Sequence, residues 1–244
     1  MLPFSVLELL NEGEERKILA KIMFPFLIQG FARGVDLGTA QGSDEIRPED
    51  MLTEPIKEAI ARKAYTESAL VIGTTKDKLQ EELTEAILQG ESVSQLASRI
   101  DSLYTTEAAR RPILIARTEL TGVVSDGTLR TLIEEGYQEK QWRTAIDGRQ
   151  RKTHESAHLQ IVPIRQPFTV GGQRGQAPGD PAMGISECAN CRCTLIGAGI
   201  PEDRALRLES AFLRMHGALE RRYMVSLRQF FFDERTRVLS RLTT

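Results

Sequence analysis

Ile115-Ala116-Arg117-Thr118-Glu119 lies near the start of a stretch, 113–195, that continues through Gln141-Trp142-Arg143-Thr144-Ala145-Ile146-Asp147-Gly148-Arg149 and His154-Glu155-Ser156-Ala157-His158. It closes on Cys188-Ala189-Asn190-Cys191-Arg192-Cys193. All three cysteines, the one tryptophan and two of the three histidines of the 244-residue chain fall inside it. Residues able to ligate a metal, move a proton or anchor a core are therefore concentrated in one third of the sequence.

The pattern changes inside this third. Residues 105–135 predict a long helix with Ile113, Ala116, Leu120, Val124, Leu129 and Leu132 on its apolar side, closed by Gly136. Residues 140–146 then alternate as a strand does, with Trp142, Thr144 and Ile146 on one face and Asp147-Gly148 as a turn. Residues 160–164 predict a second short strand. The four prolines and five glycines of 163–184 predict a long irregular loop.

Outward from the middle, the chain reads as helix. Towards the amino terminus, Val6, Leu9, Leu10, Ile18, Ile22, Phe26 and Phe31 recur at helical spacing, with a kink or break expected at Pro25. Gly38, Gly42 and 43–45 read as a linker. Helices are expected over 53–72, 75–88 and 93–103, capped by Thr75 with Asp77, closed at Gln89-Gly90 and restarted at Ser92. Beyond Pro201, a helix keeps Leu208, Phe212, Met215, Leu219, Tyr223 and Leu227 at three- and four-residue steps. The expectation is an α+β protein, mostly helical, with a small, strand-containing, loop-rich core and long helical arms. Its parts are a helical region 1–105, a core 106–200 and a carboxy-terminal helix 201–244.

With 41 % hydrophobic residues the chain can build a real core. A net charge of −2 gives no overall field for nucleic acid or an acidic membrane. One local bias exists: 201–244 carries nine arginines, no lysine and six acidic residues. With Phe230 to Phe232 nearby, Arg221, Arg222 and Arg228 are candidates for phosphate contact, although acidic residues are interspersed and a packing helix is favoured. The longest apolar run, 22–28, contains Pro25 and is far short of the roughly 20 residues a bilayer span needs. No secretory signal is read at the amino terminus, so a reducing cytoplasm is the expected compartment.

Three cysteines within six residues are an odd set for disulfides and fit reduced thiols or a metal site. Thiolates two and three residues apart can converge on zinc, with His154 or His158 as fourth donor; otherwise they pack as small apolar groups. His154-Glu155-Ser156-Ala157-His158 matches the His-Glu-x-x-His pattern of zinc hydrolases but lacks the apolar periodicity of the long helix that such chemistry uses. Arg117 and Glu119 suit the anchoring of a neighbouring loop, and Asp147 and Arg149 the bridging of a turn.

These motifs, in order, resemble the phage head-morphogenesis family, the minor head proteins similar to protein F of phage Mu. The carriers are Ala116-Arg117-Thr118-Glu119, Trp142, Asp147-Gly148-Arg149, Thr153-His154, Pro167-Phe168, Pro178-Gly179-Asp180-Pro181 and Asn190-Cys191-Arg192-Cys193. Many members of the family have histidine where Cys188 stands, a swap between zinc-ligand types, so the resemblance implies the set His154, Cys188, Cys191 and Cys193. Arg117, Glu119, Trp142, Asp147 and Arg149 would form the structural motif of the core. The resemblance further implies a non-enzymatic virion component of a tailed bacteriophage, in the head interior near the portal vertex and in the host cytoplasm during assembly. Portal protein and major capsid or scaffolding protein are the implied partners, with genomic DNA a further one and no membrane. A zinc hydrolase built on His154, Glu155 and His158, or a DNA-binding accessory factor, is the alternative.

Overall fold

The computed structural model describes residues 12–42 and 45–243; Val6, Leu9, Leu10, Ser43 and Asp44 lie outside them. The helices are α1 (Glu12–Thr39), α2 (Pro48–Met51), α3 (Glu54–Leu88), α4 (Val93–Glu134), α5 (Lys152–Ala157), α6 (Ile185–Cys188) and α7 (Glu202–Thr243). The strands are β1 (Glu139–Arg143), β2 (Ile161–Pro163), β3 (Phe168–Val170), β4 (Gln173–Gly175) and β5 (Thr194–Gly197). The fold is α+β and mostly helical, as expected.

Several boundaries differ from the sequence reading. The helices expected at 53–72 and 75–88 are one, because Thr75 is buried and turns its hydroxyl back to the Val71 carbonyl (3.1 Å) instead of capping a new start. Those expected at 93–103 and 105–135 also merge, passing through Pro112. Ser92 does start that helix: its hydroxyl accepts from the Gln95 amide (3.4 Å) while the Gln95 side chain accepts from the Ser92 amide (2.8 Å), a reciprocal capping box. Pro25 leaves α1 unbroken. By length and composition α1 is apolar enough to cross a membrane, a test that buried core helices also pass. Here Leu19, Met23, Leu27, Phe31 and Val35, at four-residue steps, are wholly buried in the fold.

The chain divides into two compact units. One draws on the described residues of Met1–Pro25, Ala59–Pro112 and Tyr223–Thr244; the other on Phe26–Glu58 and Ile113–Arg222. In α1 and α4 the division falls directly after a proline, a residue that removes one backbone donor from the helix.

The first unit is helical throughout. Leu79, Leu83, Leu96, Ile100, Leu227, Phe230 and Val238 are among its buried residues, together with two carboxylates, Glu15 of α1 and Glu234 of α7. Arg237 and Arg241 approach Glu15 at 3.8 and 3.9 Å. Tyr104 and Arg111 of α4 act electrostatically on Glu234.

In the second unit, Gly30, Gly34 and Gly38 form a row on α1 against α4. A side-chain carbon at Gly34 would stand 2.1 Å from the Val124 carbonyl oxygen, and one at Gly127 would stand 2.4 Å from that of Phe31. Only glycine admits this approach, and Thr128 seals it by donating to the Gly34 carbonyl (3.1 Å). Gly38, expected in a linker, is therefore a helix-packing residue. The sheet runs β2-β1-β5, antiparallel throughout, with Trp142 opposite Leu195 and Gln141 opposite Ile161. The proline- and glycine-rich stretch after Pro163 is not merely an irregular loop. It folds a hairpin, β3 with β4, and buries Phe168, Val170, Ala177 and Met183 against Trp142 and Leu195. Its backbone turns on itself at Gly171 and Gly172, both at positive φ, and Asp180 ties it by accepting from the Gln176 and Ala182 amides.

Burial first, and then the charge of Glu15, push the Glu234 carboxyl up to about 8. A carboxyl raised in the folded state keeps its proton where the unfolded chain has lost it, so this group's contribution to stability falls as pH rises from 4.5 to about 8. Glu234→Gln should remove that slope in urea unfolding, leaving the protein about 4 kcal/mol more stable than the parent at pH 8 and within about 1 kcal/mol of it at pH 5.

Candidate functional site

The site begins with Trp142. Its strand β1 is central in the sheet, its ring is wholly buried, and its indole N–H donates to Thr144 Oγ1 (3.0 Å). The Thr144 hydroxyl donates in turn to the His154 carbonyl (2.7 Å), which fixes the start of α5. Edge-on contacts from Trp142 to His154 (5.7 Å) and Phe168 (5.4 Å) place the imidazole in the core.

His154 is 2 % exposed. Its Nε2 faces Glu187 Oε2 at 3.1 Å, and Thr153 donates to the same oxygen at 2.9 Å. Its Nδ1 faces two thiols, Cys193 Sγ at 3.3 Å and Cys191 Sγ at 3.8 Å. These three ligand atoms lie within 4.8 Å of one another, a buried group able to hold a metal ion. The Cys193 amide also points at Cys191 Sγ (3.5 Å). Burial alone would raise the Cys193 thiol, but its contacts with Cys191 and His154 outweigh it and hold it well below its usual range. The hydrogen bond to Cys193, then burial, push Cys191 up.

Cys188 is not brought into this group. It ends the short helix α6, and its thiol donates instead to the Asp180 carbonyl (2.8 Å). His158 is not brought in either: α5 stops at Ala157, and His158 Nδ1 accepts the Thr144 amide (3.0 Å). The His-Glu-x-x-His residues therefore do not converge, and Glu155 is exposed.

The arginine-bearing helix reaches the same place from the other side. Arg117 on α4 grips Glu220 on α7 through both carboxylate oxygens (3.0 and 2.7 Å) and also donates to the Asn190 side chain. Thr118 accepts the Asn190 amide (3.0 Å), and Thr121 donates to the Cys191 carbonyl (2.8 Å) while meeting His216 Nε2 at 3.2 Å. The Gly179 turn packs on the backbone of Gly122. Glu119 is buried nearby. Asp147 holds Arg149 and Arg192 together, and these two arginines, through hydrogen bonds ahead of any burial effect, keep its carboxyl far below the usual range. Arg221, Arg222 and Arg228 are exposed on α7.

Sequence reasoning missed Glu187, Thr144, Thr121, His216 and Glu220. Glu187 adjoins Cys188 and was open to inspection as a carboxylate beside a candidate ligand. The partners on α7 carry no local signal, since only the fold brings position 220 to position 117.

A helical scaffold around a three-stranded sheet, pinned by an imidazole and two thiols, defines the class: a helix-rich α+β protein with a small polar-knotted core. Residues 77–196, about half of the chain, match the family described as Phage Mu protein F like protein. The chain belongs to this family, one of bacteriophage head morphogenesis. An alignment 136 positions long, taking in 50 % of the chain, is 32 % identical to the NAD(+)--arginine ADP-ribosyltransferase EFV of Enterococcus faecalis and covers 26 % of that protein, so the chain spans about a quarter of this relative's length. No solved structure matches the chain.

Arg117→Ala should leave Glu220 partly buried with His216 Nδ1 (3.4 Å) as its remaining partner. Chemical unfolding is expected to show a loss of about 2–3 kcal/mol, and a double-mutant cycle with Glu220→Gln should return a coupling energy of at least about 1 kcal/mol.

Proposed function

We propose that the protein is a minor head protein of a tailed bacteriophage or prophage, held in the head interior near the portal vertex. It serves head assembly, genome packaging or delivery, and contacts portal protein and major capsid or scaffolding protein, with genomic DNA as a further partner. The observation that carries this reading is the convergence of the ordered family motifs on one nucleus. Arg117 and Thr118 bind Asn190, Thr121 binds Cys191, and Trp142 and His154 pack together beneath the thiols. A nucleus built from short elements needs a cross-link that does not depend on area. Zinc fits the donor set of one imidazole and two thiols and would supply such a link. Exposed apolar side chains on α7 of the same unit, Leu206 and Leu213, suit burial against another virion component.

The test is particle composition. Virions or induced particles from the host carrying the gene should contain the protein at a small fraction of the major capsid copy number, and deleting the gene should cut infectious yield while capsid protein is still made. Its absence from mature particles and from assembly intermediates, with unchanged yield after deletion, would overturn the reading.

The ADP-ribosyltransferase likeness raises a second reading, an enzyme using NAD+. The shared segment is a quarter of that relative's length, and the family match favours the assembly reading over this one. Incubation of this chain with labelled NAD+ and an arginine-rich acceptor should leave the acceptor unlabelled; labelling above a heat-killed control would favour the enzyme.

A further inference from the structure

Zinc sites fall into two kinds. Structural ones are closed by four protein ligands, whereas those that exchange a ligand keep three and leave the fourth position open. The cluster in the second unit is of the second kind by count. His154 Nδ1, Cys191 Sγ and Cys193 Sγ converge, and among the described residues no other histidine, cysteine or carboxylate joins them. Each nearby candidate is engaged elsewhere. Cys188 donates to the Asp180 carbonyl, His158 accepts the Thr144 amide, and Glu187 sits on the opposite nitrogen of the His154 ring.

The spacing suits one ion. A tetrahedral zinc about 2.0–2.1 Å from nitrogen and about 2.3 Å from sulfur sets nitrogen and sulfur roughly 3.6 Å apart. The two nitrogen-to-sulfur distances, 3.3 and 3.8 Å, fall on either side of that value. The outer partner is in place as well. Glu187, itself fixed by Thr153, accepts from Nε2, which leaves the Nδ1 lone pair aimed at the thiols.

The three donors line a cleft together with Thr144, Arg149, Arg151 and Asn190. The cavity in it is about 20 Å³, room for one water or a small ion and nothing larger. Its charged rim is cationic: Arg149, Arg151 and Arg192 line it, and Asp147 binds the first and last of these. We propose that His154, Cys191 and Cys193 form a three-ligand zinc site whose fourth coordination position opens into this cleft and takes an exchangeable ligand, water or a small anion. Glu187 acts as its positioning residue. The inference rests on the zinc reading above and adds the open position.

Cobalt(II) in place of zinc reads both. The metal-depleted full chain should bind one cobalt, with a near-ultraviolet charge-transfer band of two-thiolate intensity. Azide should then shift the visible bands, because it enters the open position. Cys188→Ser should leave the spectrum and the affinity within about twofold of the parent, and Glu187→Gln should weaken affinity by about 10- to 100-fold. Bands that ignore azide and change in Cys188→Ser would mean that Cys188 closes the site, which overturns the open position and keeps the zinc. A folded parent chain that takes up neither cobalt nor zinc would overturn both. The decisive azide measurement uses the unmodified protein, so no variant has to fold for the proposal to fail.

Discussion

The second unit depends on partnering buried polar and charged side chains within the protein. Lys140, Arg143, His154 and Glu187 are all nearly or wholly inaccessible, in a core whose sheet has three short strands. Leaving any one of them unpaired would cost a few kcal/mol, a large share of a domain's net stability. Each has its answer: Lys140 donates twice to Gln176 (2.8 Å each), Arg143 binds Glu202 and Glu209 of α7, and His154 stands between Glu187 and the thiols. Burial still draws the Lys140 ammonium down to about 8. The partners come from the loop-rich hairpin region and from α7, so the polar requirements of β1 dictate where those distant elements must lie.

The helices were legible because their signals are local. The Ser92 and Gln95 capping box, the Gly136 stop and the three- and four-residue apolar steps of α7 are readable within a few residues. The central strand and its short antiparallel neighbour β2 were legible for the same reason. Gly38, the last of the glycine row of α1, was misread as the start of a linker, since steric approach between helices has no signature within one helix. The strand β5 went unread because its four residues are all buried and carry no alternation. The packed character of 163–184 was hidden by its prolines and glycines, which report irregular backbone and say nothing about burial.

For the candidate site, residue types and order were enough to select His154, Cys191, Cys193, Arg117 and Trp142, and the family match covers the same part of the chain. Geometry then separated residues that spacing treats alike. Cys188 is as near to Cys191 in sequence as a ligand pair requires, yet the end of α6 turns its thiol to a carbonyl. His158 is four residues from His154, which on a longer helix would share a face, but α5 ends before it. Spacing rules assume a continuous element, and both failures occur where the element is one or two turns long.

The two prolines embedded in α1 and α4 have a mechanical consequence. Each leaves one rung of its helix's hydrogen-bond ladder unfilled, so bending stiffness drops over about one turn on either rod. A load carried along these rods, as when a chain is drawn through a narrow opening, would be absorbed first as curvature at Pro25 and Pro112.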